Sequence, residues 1–231
     1  MRNAIRAHTP PLGKSDPDAA LPPGLAASVD LPSLRAARLS PSWYGRDARI
    51  VARALIGCVV VYEQREGPPK VARIVETEAY RGPLDLASHA RAGVTARTRT
   101  LFGEPGHAYV FLIYGMHDCF NVTCRRAGTG HAVLVRAAEP IAGIDSKHSL
   151  RGPGRFARAM GITRANDGAN LTEPPLYVCQ RVRRPRIGIS ARVGVGYAGD
   201  WADAPLRFLD LRSSEVSRPP KGAIGRGRPR A

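Results

Sequence analysis

The sequence predicts a single compact domain of mixed α/β (α+β) class whose strands are mainly antiparallel. Short apolar runs rich in β-branched residues recur along the chain, and Gly, Pro and Asn turns separate them. Fewer segments favour helices. The chain has 231 residues, a length that one core can accommodate, and no internal repeat divides it.

The strand starting at Val71 is an apolar, β-branched run that Gly82 and Pro83 bring to an end. A later strand alternates in the period of two and is broken by Gly115. The turn 152–154 opens a short helix, whose N-terminal amides could meet a phosphate. The predicted elements are helices near 48–56 and 154–160, and strands at 56–63, 71–78, 108–114, 119–124, 132–137 and 186–193.

Both ends of the chain differ from the middle in composition. Residues 1–40 are rich in proline and lack a periodic apolar pattern, which predicts a disordered arm. Residues 41–212 then form the domain. Residues 213–231 are expected to form a flexible basic tail, which could add nucleic-acid affinity or only keep the protein soluble.

The net charge of +16 indicates a polyanionic partner. Charge alone does not separate DNA from RNA or from an anionic membrane surface. The sequence contains no export segment and no apolar run of 18 residues, so we expect a cytoplasmic protein with no membrane partner.

The cysteines and histidines do not form a metal-binding pattern. Cys58, Cys119, Cys124 and Cys179 lack paired spacing, and the histidines are scattered. We expect reduced core cysteines, with no metal and no cofactor.

Residues 74–89 predict a site, because they place two carboxylates, a ring and a histidine close together. Side chains two apart on a strand share a face, so Glu76, Glu78 and Tyr80 would project together. A carboxylate shielded at the end of a buried strand suits a general base, which makes Glu78 the catalytic candidate. The alternative is that Glu76 and Glu78 are edge-strand charges facing water.

Residues 106–121 predict a hairpin with Tyr114 at its tip, before Gly115. In a strongly basic protein such a ring could enter a base stack as a wedge. The alternative is a hydrophobic plug onto its own domain.

Together these segments resemble the alkyladenine (3-methyladenine) DNA glycosylases of the mammalian type, also found in bacteria. The resemblance covers nearly everything except the first 40 or so residues and the last 18. The matching motifs lie in order at 55–57, 73–89, 95–99, 105–121, 133–140, 152–154, 185–201 and 205–208.

The resemblance implies a curved sheet and an enzyme that excises damaged purines from duplex DNA by hydrolysis of the N-glycosidic bond. By this resemblance, Glu78 is the general base on the attacking water. Arg136 helps to hold that water, and Val193 offers it a backbone carbonyl. The residues alone also allow Arg136 to be an ordinary salt-bridge partner of Glu139.

The resemblance also implies a pocket for the flipped base, with Tyr80 stacking and His89 hydrogen-bonding near the nucleotide. Phe111 stands where the best-known members have a second pocket tyrosine, so it keeps a stacking face but loses a hydroxyl. Asn121 would discriminate guanine lesions through their exocyclic amine. Its alternative is a turn amide bonded to local backbone.

The resemblance assigns Tyr114 to insertion into the duplex, followed by Met116 and His117. The candidate phosphate contacts are arginines, each of which could instead be a solvated surface charge. They are Arg97, Arg99, Arg155 and Arg158. The expected partner is double-stranded DNA with damaged purines, bound by a monomer in the bacterial cytosol or nucleoid.

Two other functions fit parts of the sequence. A glycosidase would use Glu76 and Glu78, roughly 6.6 Å apart along a strand, but the basic charge favours a polyanion. A non-catalytic nucleic-acid-binding module would have no use for Glu78. A strand-nicking glycosylase would need an amine for a Schiff base, and no lysine lies in the motifs quoted for the pocket.

Overall fold

The computed structural model describes residues 30–181 and 183–218. Within them, eight strands form one curved antiparallel sheet with the order β3-β4-β5-β2-β1-β6, while β8 pairs with β2 and β7. This confirms the predicted fold class. The strands are β1 Val59–Tyr62, β2 Lys70–Arg81, β3 Ala108–Ile113, β4 His117–Cys124, β5 His131–Ala142, β6 Leu176–Cys179, β7 Ile187–Ser190 and β8 Arg207–Asp210.

Strand β2 organises the sheet, because it has different neighbours along its two edges. One edge pairs with β5 over most of its length. The other pairs first with β1 and then with β8. Register shifts between Ile74 and Thr77 mark bulges in the β2–β5 pairing. Bulges bend a strand and increase its twist, which curves the sheet near Glu76 and Glu78.

Two of the helices cover one face of the sheet. Asp47 caps α3 by accepting the N–H of Arg49 at 2.9 Å, and Pro153 begins α4 with a ring that suits the first helical turn. The apolar sides of α3 and α4 pack on β2, β4 and β5, with Leu55 and Phe156 fully buried. The helices are α1 Leu31–Ala36, α2 Pro41–Tyr44, α3 Ala48–Leu55 and α4 Pro153–Met160.

The domain extends further at both ends than the sequence predicts. Helix α1 lies in the expected disordered arm and buries Leu34, and Leu39 is buried as well. At the other end, Val216 is buried within the expected tail. The predictions are therefore wrong for residues 30–40 and 213–218. The rest of both segments lies outside the described residues.

The predicted strands are all present, with shifted ends, but α1, α2, β6 and β8 were missed. The strand predicted at 71–78 continues to Arg81, and the one predicted at 186–193 ends at Ser190. Strands β6 and β8 have four residues each, as β1 and β7 do, so length alone does not explain why the sequence failed to predict them. Strand β8 also buries Arg207 and Asp210, which a sequence pattern assigns to the surface.

The four cysteines are buried and unpaired. Burial raises the pKa of the Cys58 thiol to about 12, so it stays protonated at neutral pH. In the part of the chain that the structure describes, no three His, Cys, Asp or Glu side chains are grouped to hold a metal ion. None of the described helices is long and apolar enough to cross a membrane.

Gly130 packs closely against Ala90, the residue that follows His89, and against Phe102. Substitution of Gly130 by alanine tests this packing. Gly130 has φ +64°, and an added Cβ would lie 2.7 Å from the Cβ of Ala90 and 2.9 Å from the Phe102 ring. Gly128 also has a positive φ, +80°, but nothing lies within 4 Å. Both changes strain the backbone by about 1–2 kcal/mol. We expect Gly130→Ala to cost about 1–3 kcal/mol more, from overpacking.

Urea unfolding of the two variants measures this difference directly. Equal free energies of unfolding for Gly128→Ala and Gly130→Ala would show that the contact with Ala90 and Phe102 is loose.

Candidate active site

A cavity of about 340 Å³ opens beside the central strands of the sheet. Its wall comes from strands β2 to β5, from residues 87–89 and 101, from the segment after β7, from the first residue of α4 and from residue 218. It is lined by Tyr80, Ala87, Ser88, His89, Leu101, Tyr109, Phe111, Ile113, Tyr114, Cys119, Asn121, Ala132, Leu134, Arg136, Pro153, Val193, Gly194, Val195, Tyr197 and Arg218.

Glu78 lies fully buried directly beneath this cavity, in contact with three lining residues. Its Oε2 accepts the hydroxyl of Tyr80 at 2.9 Å and lies 3.3 Å from Nη1 of Arg136. Its Oε1 accepts the backbone N–H of Val193 at 2.7 Å. A buried carboxylate needs such partners in place of water. The alternative of water-facing edge charges is wrong, because Glu76 is fully buried as well.

Arg136 bridges the two glutamates of β2. Its Nε donates to Oε1 of Glu76 at 3.1 Å, while its Nη1 faces Glu78. Burial opposes its charge, but Glu78 and Glu76 outweigh burial and raise the pKa of Arg136. The alternative salt bridge to Glu139 is wrong, since Glu139 binds Arg73 instead. Arg136 therefore supplies a fixed positive charge between two buried carboxylates.

Tyr80 separates Glu78 from the cavity and presents its ring there. Burial, together with the charge of Glu78, holds the pKa of Tyr80 well above its usual range. The phenol therefore keeps its proton, and its O–H donates a hydrogen bond to Glu78. On the ring lies the guanidinium of Arg192, whose Cζ is 4.8 Å from the ring centroid.

Arg192 and Asp85 form a buried ion pair that sequence reasoning missed. Nη1 and Nη2 of Arg192 donate to the two oxygens of Asp85 at 2.6 and 2.8 Å, and both side chains are fully buried. Nη1 also donates to the Ala79 carbonyl. Since Arg192 precedes Val193, this pair fixes the amide that binds Glu78. Asp85 lies inside the 74–89 motif, which was the only sequence signal.

The second wall is formed by three packed rings. Nδ1 of His89 lies 3.1 Å from the Tyr109 hydroxyl, and the rings of His89 and Phe111 are 4.4 Å apart. Burial raises the pKa of Tyr109 to about 12, so its phenol keeps its proton at neutral pH. The His89 tautomer decides which of the two atoms donates in this bond. Burial, with the charge of Arg97, lowers the pKa of His89, so the ring is neutral at pH 7.

Asn121 lines the cavity from β4 with its amide held in place. Its Nδ2 donates to the carbonyls of Tyr109 and Cys119 at 3.0 and 3.3 Å. The alternative for Asn121 was an amide bonded to the local backbone. That bonding is present, and Asn121 also lines the cavity. Because both amide hydrogens are used, only Oδ1 can face a ligand, as an acceptor.

The β3–β4 hairpin carries Tyr114 at its tip, as predicted. Tyr114 has φ +51° and Gly115 has φ +70°. The side chain of Tyr114 is 84 % exposed and that of Met116 is 73 % exposed. The alternative of a plug onto the domain is therefore wrong. His117 is exposed at the base of the hairpin beside Gly154 of α4.

The four candidate arginines lie on the surface, and none of them lines the cavity. Arg97 is nearest, because its Nη2 donates to the Leu112 carbonyl at 3.3 Å and its Cζ lies 5.4 Å from the Phe111 ring centroid. Arg155 and Arg158 are exposed on α4, and Arg99 precedes the short helix Thr100–Phe102. Their contacts with phosphates remain predictions.

The chain is similar to known proteins over most of its length. The model of the family described as Methylpurine-DNA glycosylase matches residues 42–214. Relatives in Myxococcus xanthus and Anaeromyxobacter dehalogenans are 48% and 50% identical over 187 and 188 residues. These matches cover 80% of this chain and 96% and 88% of the relatives. Both relatives carry the name "Putative 3-methyladenine DNA glycosylase".

A relative with the same name in Methanocella arvoryzae is 45% identical over 199 residues, which cover 80% of this chain and 98% of the relative. With the fold and the site described above, the matches make this protein a DNA glycosylase, a hydrolase of N-glycosyl bonds in DNA repair. The chain belongs to the methylpurine-DNA glycosylase family. The resemblance stated from the motifs is thereby confirmed.

The buried pair below Tyr80 can be tested by comparing Arg192→Gln with Arg164→Gln. Arg192→Gln leaves Asp85 as an unpaired buried charge, for which we expect a loss of about 3–5 kcal/mol in the free energy of unfolding. Arg164 lies 3.4 Å from Asp118, but its side chain is 63 % exposed, so Arg164→Gln should cost less than about 1 kcal/mol. Chemical denaturation measures both, and similar losses would contradict the assigned role of Asp85.

The lowered pKa of His89 predicts how stability depends on pH. A histidine in an unfolded chain has a pKa of about 6.5. Below that pH the unfolded state therefore binds a proton that folded His89 does not. The stabilisation is therefore complete above the unfolded pKa and is lost as the pH falls towards the lower folded pKa. As the pH falls from about 8 to about 5, the free energy of unfolding should decrease less for His89→Gln than for wild type. The surface variant His148→Gln should behave like wild type, and equal slopes for His89→Gln would contradict the prediction.

Proposed function

We propose that this protein is a monofunctional glycosylase of base excision repair. It flips alkylated or deaminated purines out of duplex DNA and hydrolyses their N-glycosidic bond, leaving an abasic site. The substrate class is 3-methyladenine, 7-methylguanine, hypoxanthine and ethenoadenine. The observation that carries the proposal is Glu78, a buried carboxylate kept beneath an aromatic-walled cavity by Tyr80, Arg136 and Val193.

In the proposed reaction, Glu78 acts as general base on a water molecule at the cavity floor. Its negative charge also stabilises the cationic sugar that forms as the base leaves. Arg136 holds the water, and its positive charge lies 3.3 Å from Oε2 of Glu78. The N–H of Val193 fixes Oε1 of Glu78, and the proposed contact of the Val193 carbonyl with the water supplements it.

The flipped purine is received between rings. Tyr80 stacks on one side, and His89 and Phe111 form the other wall, as is general for flipped bases. In the proposed complex the Tyr109 hydroxyl donates to Nδ1 of the neutral His89, so that Nε2–H faces the base as a donor. Asn121 presents Oδ1 as an acceptor. The cavity volume of about 340 Å³ lies in the usual range for small-ligand sites, about 300–1,000 Å³.

The duplex is held by charge and opened by the hairpin tip. The exposed ring of Tyr114 enters the base stack in place of the flipped nucleotide, with Met116 and His117 following it into the groove. Arg97, Arg99, Arg155 and Arg158 contact phosphates. The protein acts as a monomer, and genomic DNA as substrate assigns it to the cytosol and nucleoid.

The proposed lack of a strand-nicking step rests on where the lysine amines lie. No lysine is among the residues that line the described cavity. Lys70 donates its Nζ to the Ala159 carbonyl, away from the cavity, and Lys147 is exposed. Lys14 and Lys221 lie outside the described residues. Water is therefore the proposed nucleophile, in preference to a lysine that would form a Schiff base.

A saccharide hydrolase is not favoured by the geometry. It would need Glu76 as a second carboxylate at the cavity. Glu78 contacts Tyr80 and Val193 in the cavity wall, whereas Glu76 binds the Ser217 N–H and lies beside Arg207, and neither of these residues lines the cavity.

The proposal is tested by single-turnover release of hypoxanthine and 3-methyladenine from duplex DNA. Glu78→Gln keeps the shape of the side chain but removes the base, so we expect the rate to fall by about 10²–10⁴. Binding to DNA with an abasic-site analogue should be unchanged. Glu104→Gln, on an exposed residue, is the control and should match wild type.

The wild-type product should be an intact strand with an abasic site, and borohydride should trap no protein–DNA adduct. A wild-type protein that binds the analogue but releases neither base would remove the catalytic proposal and leave a binding module.

A further inference from the structure

The chain after β8 folds back over the buried charges below the active site. We call residues 213–218 the C-terminal strap. Val216 anchors it with a side chain that is only 5 % exposed, and Ser213 donates its hydroxyl to Oε1 of Glu139 at 2.6 Å. At its end the strap reaches the cavity, where Arg218 is a lining residue.

The strap binds Glu76 through its backbone. The N–H of Ser217 donates to Oε2 of Glu76 at 2.6 Å. The other oxygen of Glu76 accepts Nε of Arg136 at 3.1 Å and lies 2.9 Å from Nε of Arg207. Glu76 is fully buried, so these partners take the place of water around its charge.

The strap also binds the second arginine of the cluster. The carbonyl of Arg218 accepts a hydrogen bond from Nη2 of Arg207. Burial lowers the pKa of Arg207, and the nearby charge of Arg136 acts in the same direction, against the attraction of Glu76. The Arg218 carbonyl thus contacts the same guanidinium that lies beside Glu76, so the strap touches both members of this buried pair.

We infer that the C-terminal strap is a positioning element of the active site, acting through Glu76 on Arg136 and so on the water at Glu78. Neither Ser217 nor Glu76 lines the cavity, so their effect must pass through Arg136. This inference rests on the proposed function, because the rate it affects is that of base release.

The test compares Ser217→Pro with Ser217→Ala in the full chain. Proline removes the N–H that binds Glu76, while alanine retains it and removes only a hydroxyl that has no partner among the described residues. We expect Ser217→Pro to slow single-turnover hypoxanthine release by about 10- to 100-fold, because a misplaced group loses that much. Ser217→Ala should match wild type.

Binding to duplex DNA with an abasic-site analogue distinguishes positioning from general damage. Both variants should bind it with wild-type affinity, since the strap does not hold Glu78 or the hairpin tip. Equal release rates for the two variants, or a parallel loss of rate and binding in Ser217→Pro, would overturn the inference.

If circular dichroism shows that Ser217→Pro does not fold, Val216→Thr replaces it. This change buries a hydroxyl in place of a methyl group, which weakens the buried anchor of the strap without removing backbone groups. Release slowed by several-fold, with unchanged binding, supports the inference, and an unchanged rate overturns it. Failure of the wild type to release any base would instead contradict the proposed function itself.

Discussion

The structure depends on two buried carboxylates that stand on the same strand. Glu76 and Glu78 lie two residues apart on β2, and neither reaches solvent. Leaving such charges unpaired would cost several kcal/mol each, on the order of the effective penalty for a buried ion. Arg136 forms ion pairs with both carboxylates, since its guanidinium lies between them. The strands and segments around β2 are arranged so that each carboxylate has enough donors.

This requirement explains why segments distant in sequence meet at one place. Strand β5 brings Arg136, β8 brings Arg207, and the chain after β7 brings the N–H of Val193. The bulges in β2 allow this convergence, because they bend the strand where the charges lie. The pair of Asp85 and Arg192 then fixes the last of these segments. Stability and the site are therefore built from the same ion pairs.

The cavity and the hairpin tip are built by opposite means. The cavity wall is held by packed rings and by an amide whose hydrogens are both bound. The tip exposes Tyr114 on a backbone with a positive φ, a conformation that the neighbouring Gly115 helps to make. A rigid pocket suits recognition of a base, whereas a projecting ring suits entry into a stack.

The sequence by itself determined the fold class and the side of β2 that carries the charges, because alternation on a strand puts Glu76, Glu78 and Tyr80 on one face whatever surrounds them. Tertiary structure alone decided how those residues are paired. Arg136 forms its ion pair with Glu76 rather than with Glu139, and Asp85 forms its ion pair with Arg192, which is more than a hundred residues away in the sequence. Pairing between distant segments leaves no periodic pattern in a sequence. The C-terminal strap was missed for the same reason, since it is held by a backbone N–H that every non-proline residue carries.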